Sequence, residues 1–537
     1  MLGRRSRLAA AVLATGAAVC LALTGSAVAT AAASPQQQLP SAADWTNEKV
    51  NRIIDVGGTI TRSTTQFTLR KNESAIASAQ GEFAPYYISL SPEEDVHLAY
   101  TKVTLTFEGQ KTEPVILELE RASRPNSTHH VYAVQLPKAV LVGSGERRPV
   151  VTFDAMFSHM SSPLPKTIKQ SEQMQLLWQG EVGIRSPYAT NEGKVRVRSS
   201  HPRILSYSPN GPDDATKSGS TLTFGPYSNV EPIALDGKAD ASTLVAGRVH
   251  YQYDQPVISA VEFNRHVEIS HWGNNLATED RIWVRNDGAA LKGFFSRVEH
   301  QKATYQQKIT SHILQILTMH LPPGAKDVYY IDKVGNVSTS HLNPSPEAPE
   351  LVSAFPVALM QGKTSRLALQ PRYPLLGGWN YTFSVGFNMA LGEGGWGRRI
   401  PDKGLRKVAG DLQGAGSGKD RYVVGVMFIT PLADVAIDNV QTRIVLPEGA
   451  VVTQVDIPFE VDSLRHERFT SYLDTIGRPA VVIEKTRVSE QHGQLVYIHY
   501  TLSSSAHYRK PLSIAALVFA LFGVISTLRR FDGKISK

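Results

Sequence analysis

The chain has 537 residues, a formal net charge of +8 and one cysteine, Cys20. A single thiol excludes an intrachain disulfide and a cysteine-built zinc cluster. Six of the eight charges sit at the ends, on Arg4, Arg5 and Arg7 and on a tail with four basic residues and one acid, so the basic balance reports topology and not nucleic-acid binding.

The first element is a leader. Arg4, Arg5 and Arg7 precede the apolar stretch 8–23, and "AVA" at 27–29 supplies small residues for cleavage. The pattern is that of a secretory signal peptide, residues 1–29, which takes no part in the fold.

The body that follows reads mostly as strands. "KVTLTF" (102–107), "VYAVQL" (131–136), "VVTFDAMF" (150–157) and "KVRVR" (194–198) alternate apolar and polar residues. Period two with β-branched and aromatic residues, punctuated by Pro and Gly, predicts antiparallel sheets packed as sandwiches. Residues 304–320 fit either a short helix or a strand. "VYYI" (328–331) reads as a buried strand that runs into a Gly335-Asn336 turn. Residues 391–420, rich in Gly and Lys/Arg, read as a long surface loop. Strands resume at 422–428, 442–447 and 495–502. In the last, Val496, Ile498, Tyr500 and Leu502 share one face.

The chain closes on an apolar run, Leu512–Leu528, led by Arg509-Lys510-Pro511 and followed by Arg529-Arg530. Seventeen helical residues cover about 25 Å, enough for a thin bilayer. A leader plus a stop-transfer segment predicts a type I topology, with the body in the lumen and the basic tail in the cytosol. The expected fold class is mainly β: two lumenal antiparallel β-sandwich-like domains followed by a single C-terminal transmembrane helix. The expected boundaries are 30–260, 261–508 with the Gly/basic loop at 391–420, the span at 511–528 and the tail at 529–537.

Catalytic signatures do not assemble. Gly392, Gly394 and Gly397 satisfy G-x-G-x-x-G, but "RRIPDKG" is a poor helix start. "GAGSGKD" (414–420) lacks the first glycine and the Ser/Thr of a phosphate loop. His129-His130 has no partners at metal-ligand spacing, and Glu93, Glu94 and Asp95 read as solvated turn acids. No catalytic, cofactor or metal residue is assigned. Four sequons remain as candidate glycan acceptors: Asn72, Asn126, Asn336 and Asn380. Pro344 disqualifies Asn343.

Several long strings resemble the ribophorin I family, a subunit of the oligosaccharyltransferase complex. They are "SHWGNN" (270–275), "LKGFFSRVEHQ" (291–301), "LPPGAKDVYYIDKVGNVSTSHL" (321–342), "RYPLLGGWNYTFSVGFN" (372–388), "LPEGA" (446–450) and "YLDTIGRPAVVIEKTRVSEQH" (472–492). "RASRPNSTHHVYAVQLP" (121–137) and "FGPYSNVEP" (224–232) extend the likeness into the first half. The resemblance implies a single-span protein of the endoplasmic reticulum membrane and no cofactor of its own. It implies a non-catalytic role in transferring a preassembled glycan from dolichol pyrophosphate to Asn-X-Ser/Thr. The chemistry is expected in a different, multispanning subunit. Expected partners are the other subunits of the complex, and the lumenal domains are assigned to assembly and to handling nascent acceptor chains. The resemblance also places a family acceptor at Asn336. The sequence runs nine residues past the span, so the ribosome contact of the cytosolic region in animal members is not carried over. Loop 391–420 reads as longer than the family's.

In the span, Ala516, Ala520, Gly523 and Thr527 recur at i, i+4, i+7 and i+11. Small residues on one face allow close helix packing, expected here against another transferase subunit; the competing reading is an ordinary mixed span. The competing function is a cell-surface adhesion or receptor ectodomain, although such domains usually carry disulfides.

Overall fold

The computed structural model describes residues 45–71, 83–109, 114–122, 130–137, 148–209, 215–233, 245–306, 312–345, 364–391, 397–400, 419–471 and 474–530. The leader, Asn72, Asn126, His129 and the tail beyond Arg530 lie outside them. Residues 42–537 form one compact unit, mainly β, with two separate apolar cores. One is built from Trp45 to Val257 with Ala289, the other from Ile258 to Ala506.

The two cores are enclosed by the same arrangement of strands, used twice. In the first half the large sheet runs Ala215–Ser218, Thr221–Val230, Thr190–Ser199, Trp45–Val56, Ile60–Lys71, Pro149–Ser158, Leu98–Phe107, with Val115–Leu117 added at the edge. In the second it runs Ser463–Phe469, Arg478–Val488, Ala436–Val445, Ile258–Ser270, Asn275–Asn286, Asn380–Ala390, Lys326–Asp332. Taken in chain order, the seven shared strands occupy equivalent positions. Each sheet is built on an opening hairpin, and each opening strand pairs in parallel with a much later strand, Asn47 with Thr190 and Ser259 with Ala436.

The smaller sheets repeat as well. Phe83–Leu90, His130–Pro137, Leu119–Arg121 correspond to Leu317–Leu321, Ser365–Leu369, Ser340–Asn343. Ile204–Ser208, Ala246–Gln252, Gln175–Glu181, Ser161–Pro163 correspond to Val451–Asp456, Leu495–Ser503, Lys419–Met427, Gly397–Ile400. The body is therefore a tandem repeat.

Local chemistry explains the elements. In Leu495–Ser503 the alternation holds: Val496, Ile498, Tyr500 and Leu502 are buried, and Tyr497, His499 and Thr501 are half-buried. Three expectations need correction. "VYYI" lies on an edge strand, and of its four residues only Tyr330 is buried. Pro92–His97 is a short helix capped by Ser91; of its acids Glu93 is exposed as expected, but Glu94 and Asp95 are not solvated. Glu94 is buried against Arg52 at 2.5 Å, because the helix turns it inward, while Asp95 accepts from Tyr132 and Arg121 and pairs with His130. The parallel pairs are the third, since the expected sheets were antiparallel throughout. Of 304–320, Leu317–Leu321 is strand, and the helix Arg297–Tyr305 overlaps only its start. Within 391–420, Gly397–Ile400 pairs with 421–424 as strand; a strand, not a helix, opens at the last glycine of G-x-G-x-x-G.

The repeats are joined through the tip of the first opening hairpin. Thr59 Oγ1 donates to the Ile258 carbonyl at 2.8 Å and accepts from the Ala436 N–H at 3.1 Å. Arg62 pairs with Asp434 at 2.7 Å and Glu490 at 2.9 Å, and His159 with Asp438 at 2.7 Å.

Candidate functional sites

The two described sequons occupy different settings. Asn336 is exposed on the return of a tight turn. Asp332 Oδ1 accepts the N–H of Val334 at 2.9 Å and of Gly335 at 3.0 Å, and Gly335 takes φ +141°, open to glycine for want of a Cβ. Arg372 then locks the turn, pairing with Asp332 and donating to the carbonyls of Gly335 at 3.2 Å and Asn336 at 2.9 Å. Burial raises the Asp332 carboxyl, but hydrogen bonds from Arg372, the two N–H groups and Tyr381 overcome it and hold it at about 2. The side chain of Asn336 projects from a rigid support.

Asn380 opens the strand Asn380–Ala390, its backbone paired with Arg285 and its carbonyl accepting from Tyr373 Oη at 2.9 Å. With Thr382 it lines an open trough of about 510 Å³ over the polar face of the sheet, together with Trp283, Arg281 and Glu262. Placement of Asn72 and Asn126 lies outside the described residues.

The terminal helix spans Arg509–Arg530, longer at both ends than the expected 511–528. It is long and apolar enough to cross a membrane, with mean hydropathy 2.2, and its apolar stretch is not buried against the body. Ala516, Ala520, Gly523 and Thr527 are all exposed on it.

Two buried charged clusters were not foreseen, and they are equivalent in the repeat. Arg52 and Arg265 each sit on an opening strand. Arg52 Nη1 donates to the carbonyl of Glu181 at 3.4 Å, and Arg265 Nη1 to that of Met427 at 2.7 Å. Glu181 and Met427 are the last residues of corresponding strands, Gln175–Glu181 and Lys419–Met427. Arg52 pairs with Glu94, beside Arg185–Glu181 at 2.9 Å and a cavity of about 30 Å³, room for a water or two. Arg265 pairs with Asp280, which also accepts from Thr430. The Glu181 carboxyl is raised, by burial first and by Glu94 second. Each acid pairs with its own arginine, the cavity beside the first cluster is of water size, and the Arg265–Asp280 pair is fully enclosed, so both read as structural ion pairs. The signal in the sequence was an internal echo, "VNRIIDV" (50–56) against "FNRHVEI" (263–269). Among the described residues no three His, Cys, Asp or Glu converge as metal ligands.

Comparison with known proteins addresses the chain as a whole. The family model Ribophorin I matches residues 45–529, both repeats and nearly all of the terminal helix. "Dolichyl-diphosphooligosaccharide--protein glycosyltransferase subunit 1B" of Oryza sativa subsp. japonica is 28% identical over 477 residues, 88% of this chain and 88% of that protein. Subunit 1A of Arabidopsis thaliana is 29% identical over 503 residues, 93% of this chain and 72% of that one. Subunit 1 of Caenorhabditis elegans is 27% identical over 495 residues, 92% and 73%. Native leukotriene A4 hydrolase from Saccharomyces cerevisiae aligns over 43% of this chain and 32% of its own at 10% identity with TM-score 0.24, too low to carry an argument.

Proposed function

The chain belongs to the ribophorin I family, and from that premise we propose that it is a non-catalytic subunit of the dolichyl-diphosphooligosaccharide–protein glycosyltransferase complex, supporting N-linked glycosylation. The observation that carries this reading is the unbroken match over residues 45–529, with relatives named as subunit 1 of that enzyme. The arrangement of this chain is in keeping with the non-catalytic role, because the buried carboxylates of Glu94, Glu181 and Asp280 are held in internal ion pairs and that of Glu448 accepts hydrogen bonds from Thr475 and Ile476.

In this reading the protein is a single-span component of the endoplasmic reticulum membrane. Residues 1–29 direct entry, lumenal domains at 30–260 and 261–508 assemble the complex and handle acceptor chains, and 529–537 face the cytosol. The helix face of Ala516, Ala520, Gly523 and Thr527 packs against another subunit, and the multispanning catalytic subunit is among the partners. Asn336 and Asn380, with Asn72 and Asn126, are acceptors for the reaction the complex performs. The adhesion or receptor alternative is not favoured by relatives of these names.

The test is a mild-detergent pull-down of the tagged full chain from microsomes, with partners identified by mass spectrometry and transfer to a sequon peptide assayed. Recovery of a multispanning transferase subunit with activity is expected. An isolated protein, or one recovered at the plasma membrane, overturns the reading.

A further inference from the structure

The last turn before the apolar run is held by two loops of the second repeat. The indole N–H of Trp272, at the tip of the opening hairpin Ile258–Ser270/Asn275–Asn286, donates to the carbonyl of His507 at 3.1 Å. Lys510 pairs at 2.6 Å with Asp474, whose side chain is fully enclosed in the loop between Ser463–Phe469 and Arg478–Val488. Glu448 Oε1 fastens that loop by accepting the N–H of Thr475 and of Ile476, both at 2.8 Å. Two hairpin tips are thus bolted to the root of the terminal helix, and each exposes one large apolar side chain beside a polar one, Trp272 beside Asn274 and Ile476 beside Thr475. Trp272 is 66% exposed, Ile476 50%, and Tyr508 on the helix root 60%.

Distance decides what covers them. His507 precedes Leu512, the first residue of the apolar run, by five positions, about 7–8 Å along a helix axis. The polar interfacial layer of a bilayer is about 5–8 Å thick on each side. If Leu512 enters the hydrocarbon, Trp272 stands in that layer, where an amphipathic ring gains from burying its body while its N–H is satisfied. The tandem repeat supplies an independent argument. The equivalent tip of the first repeat, around Thr59, is already an interface, covered by the second repeat. The second repeat is followed in the chain by the terminal helix, and its tip touches the root of that helix instead.

We propose that Trp272 and Ile476 form a membrane foot, a pair of hairpin tips seated in the headgroup layer beside the span. The partner is the lipid surface itself. This rests on the terminal helix spanning the bilayer, but not on the identity of the complex.

The experiment uses the full chain with Cys20→Ser, which removes the single native thiol. Trp272→Cys, Ile476→Cys, Phe519→Cys and Val115→Cys each carry an environment-sensitive fluorophore in proteoliposomes with spin-labelled lipids. Val115 lies on an edge strand of the first repeat and serves as the aqueous reference. Phe519 lies mid-helix and reports insertion. The expected result is blue-shifted emission at 272 and 476, quenched by shallow spin labels, with deep quenching at 519 and neither effect at 115. Deep quenching at 519 with water-like emission at 272 and 476 overturns the foot and leaves the span intact. A blue shift at 272 and 476 without lipid quenching overturns it in favour of a protein cover. No quenching at 519 overturns the span and the foot together. The Ile476 label keeps the test decisive if replacing Trp272 disturbs the fold.

Discussion

Arg265 and Asp280 face each other across the opening hairpin of the second repeat as a two-point ion pair, Nε to Oδ1 and Nη2 to Oδ2 both at 2.6 Å, with side chains 1% and 0% exposed. Removing one partner of such a pair leaves a buried charge without compensation, which costs about 3–5 kcal/mol. Asp280→Ala is expected to lower thermal stability by that order. The double change Arg265→Met with Asp280→Leu is expected to recover most of the loss, since well-packed apolar replacements of buried pairs are often neutral. Calorimetry of the solubilised protein separates the two; equal losses in single and double variants count against the pair as the cause.

The two described sequons make different demands on timing. Asn336 lies on an exposed turn, whereas the backbone of Asn380 is already committed to a sheet partner once the second repeat has folded. Peptide mapping of the protein from cells is expected to find glycan on both. Asn336→Gln and Asn380→Gln should each remove one glycan from the intact protein. Presenting the folded, deglycosylated chain to the enzyme again should restore Asn336 more readily than Asn380, and equal restoration refutes the ordering.

Stability is expected to fall on mild acidification. Burial, aided by His507, lowers His271 to about 4, and burial, aided by Lys485, lowers His492 to about 3. The unfolded chain takes up these protons near pH 6.5 and the folded chain does not, so stability is full above that pH and declines as pH falls toward 4 and 3. Each histidine contributes a slope of at most about 1.4 kcal/mol per pH unit. Asp332, held at about 2 against an ordinary 3.8, adds stability that is present above 3.8 and lost as pH falls through 2. Melting curves from pH 7 to 4 read the slope. His492→Gln should flatten it; an unchanged slope removes His492 from the account.

The small-residue face of the span is tested by bulk. Ala520→Leu with Gly523→Leu should abolish co-purification of partner subunits while leaving the melting temperature of the body unchanged, because both residues are exposed on the helix. Leucines at Leu517 and Leu521 replaced by isoleucine serve as the control face. Undiminished recovery of partners removes the docking role.

Legibility in the sequence followed range. The strand at 495–502 was readable because its two faces differ residue by residue. The Asn336 turn was readable because Gly335-Asn336 is itself turn chemistry. The burial of Glu94 was not, since its cation, Arg52, lies 42 positions away and three acids in a row resemble a solvated turn. The parallel pairing of Trp45–Val56 with Thr190–Ser199 was hidden for the same reason, as no local pattern names a partner so distant. The duplication left only a short echo, Asn51-Arg52 and Asn264-Arg265, because a shared topology needs matching apolar rhythm and not matching residues. The sequons were legible as motifs, but the Arg372 clamp on one and the trough beneath the other depend on strands brought together by folding.

The strand Leu495–Ser503 passes into the helix Ser504–His507 and then, after Tyr508 alone, into Arg509–Arg530. Ala506 belongs to the core of the second repeat, and Leu512 N–H donates to the Tyr508 carbonyl at 2.9 Å, so helical pairing begins where the body ends. An ectodomain on a flexible tether samples a wide cone of headings and must surrender that freedom whenever it docks. Here most of the surrender is built into folding. A neighbour that grips the span thereby also aims the body, and torque applied to one is felt by the other.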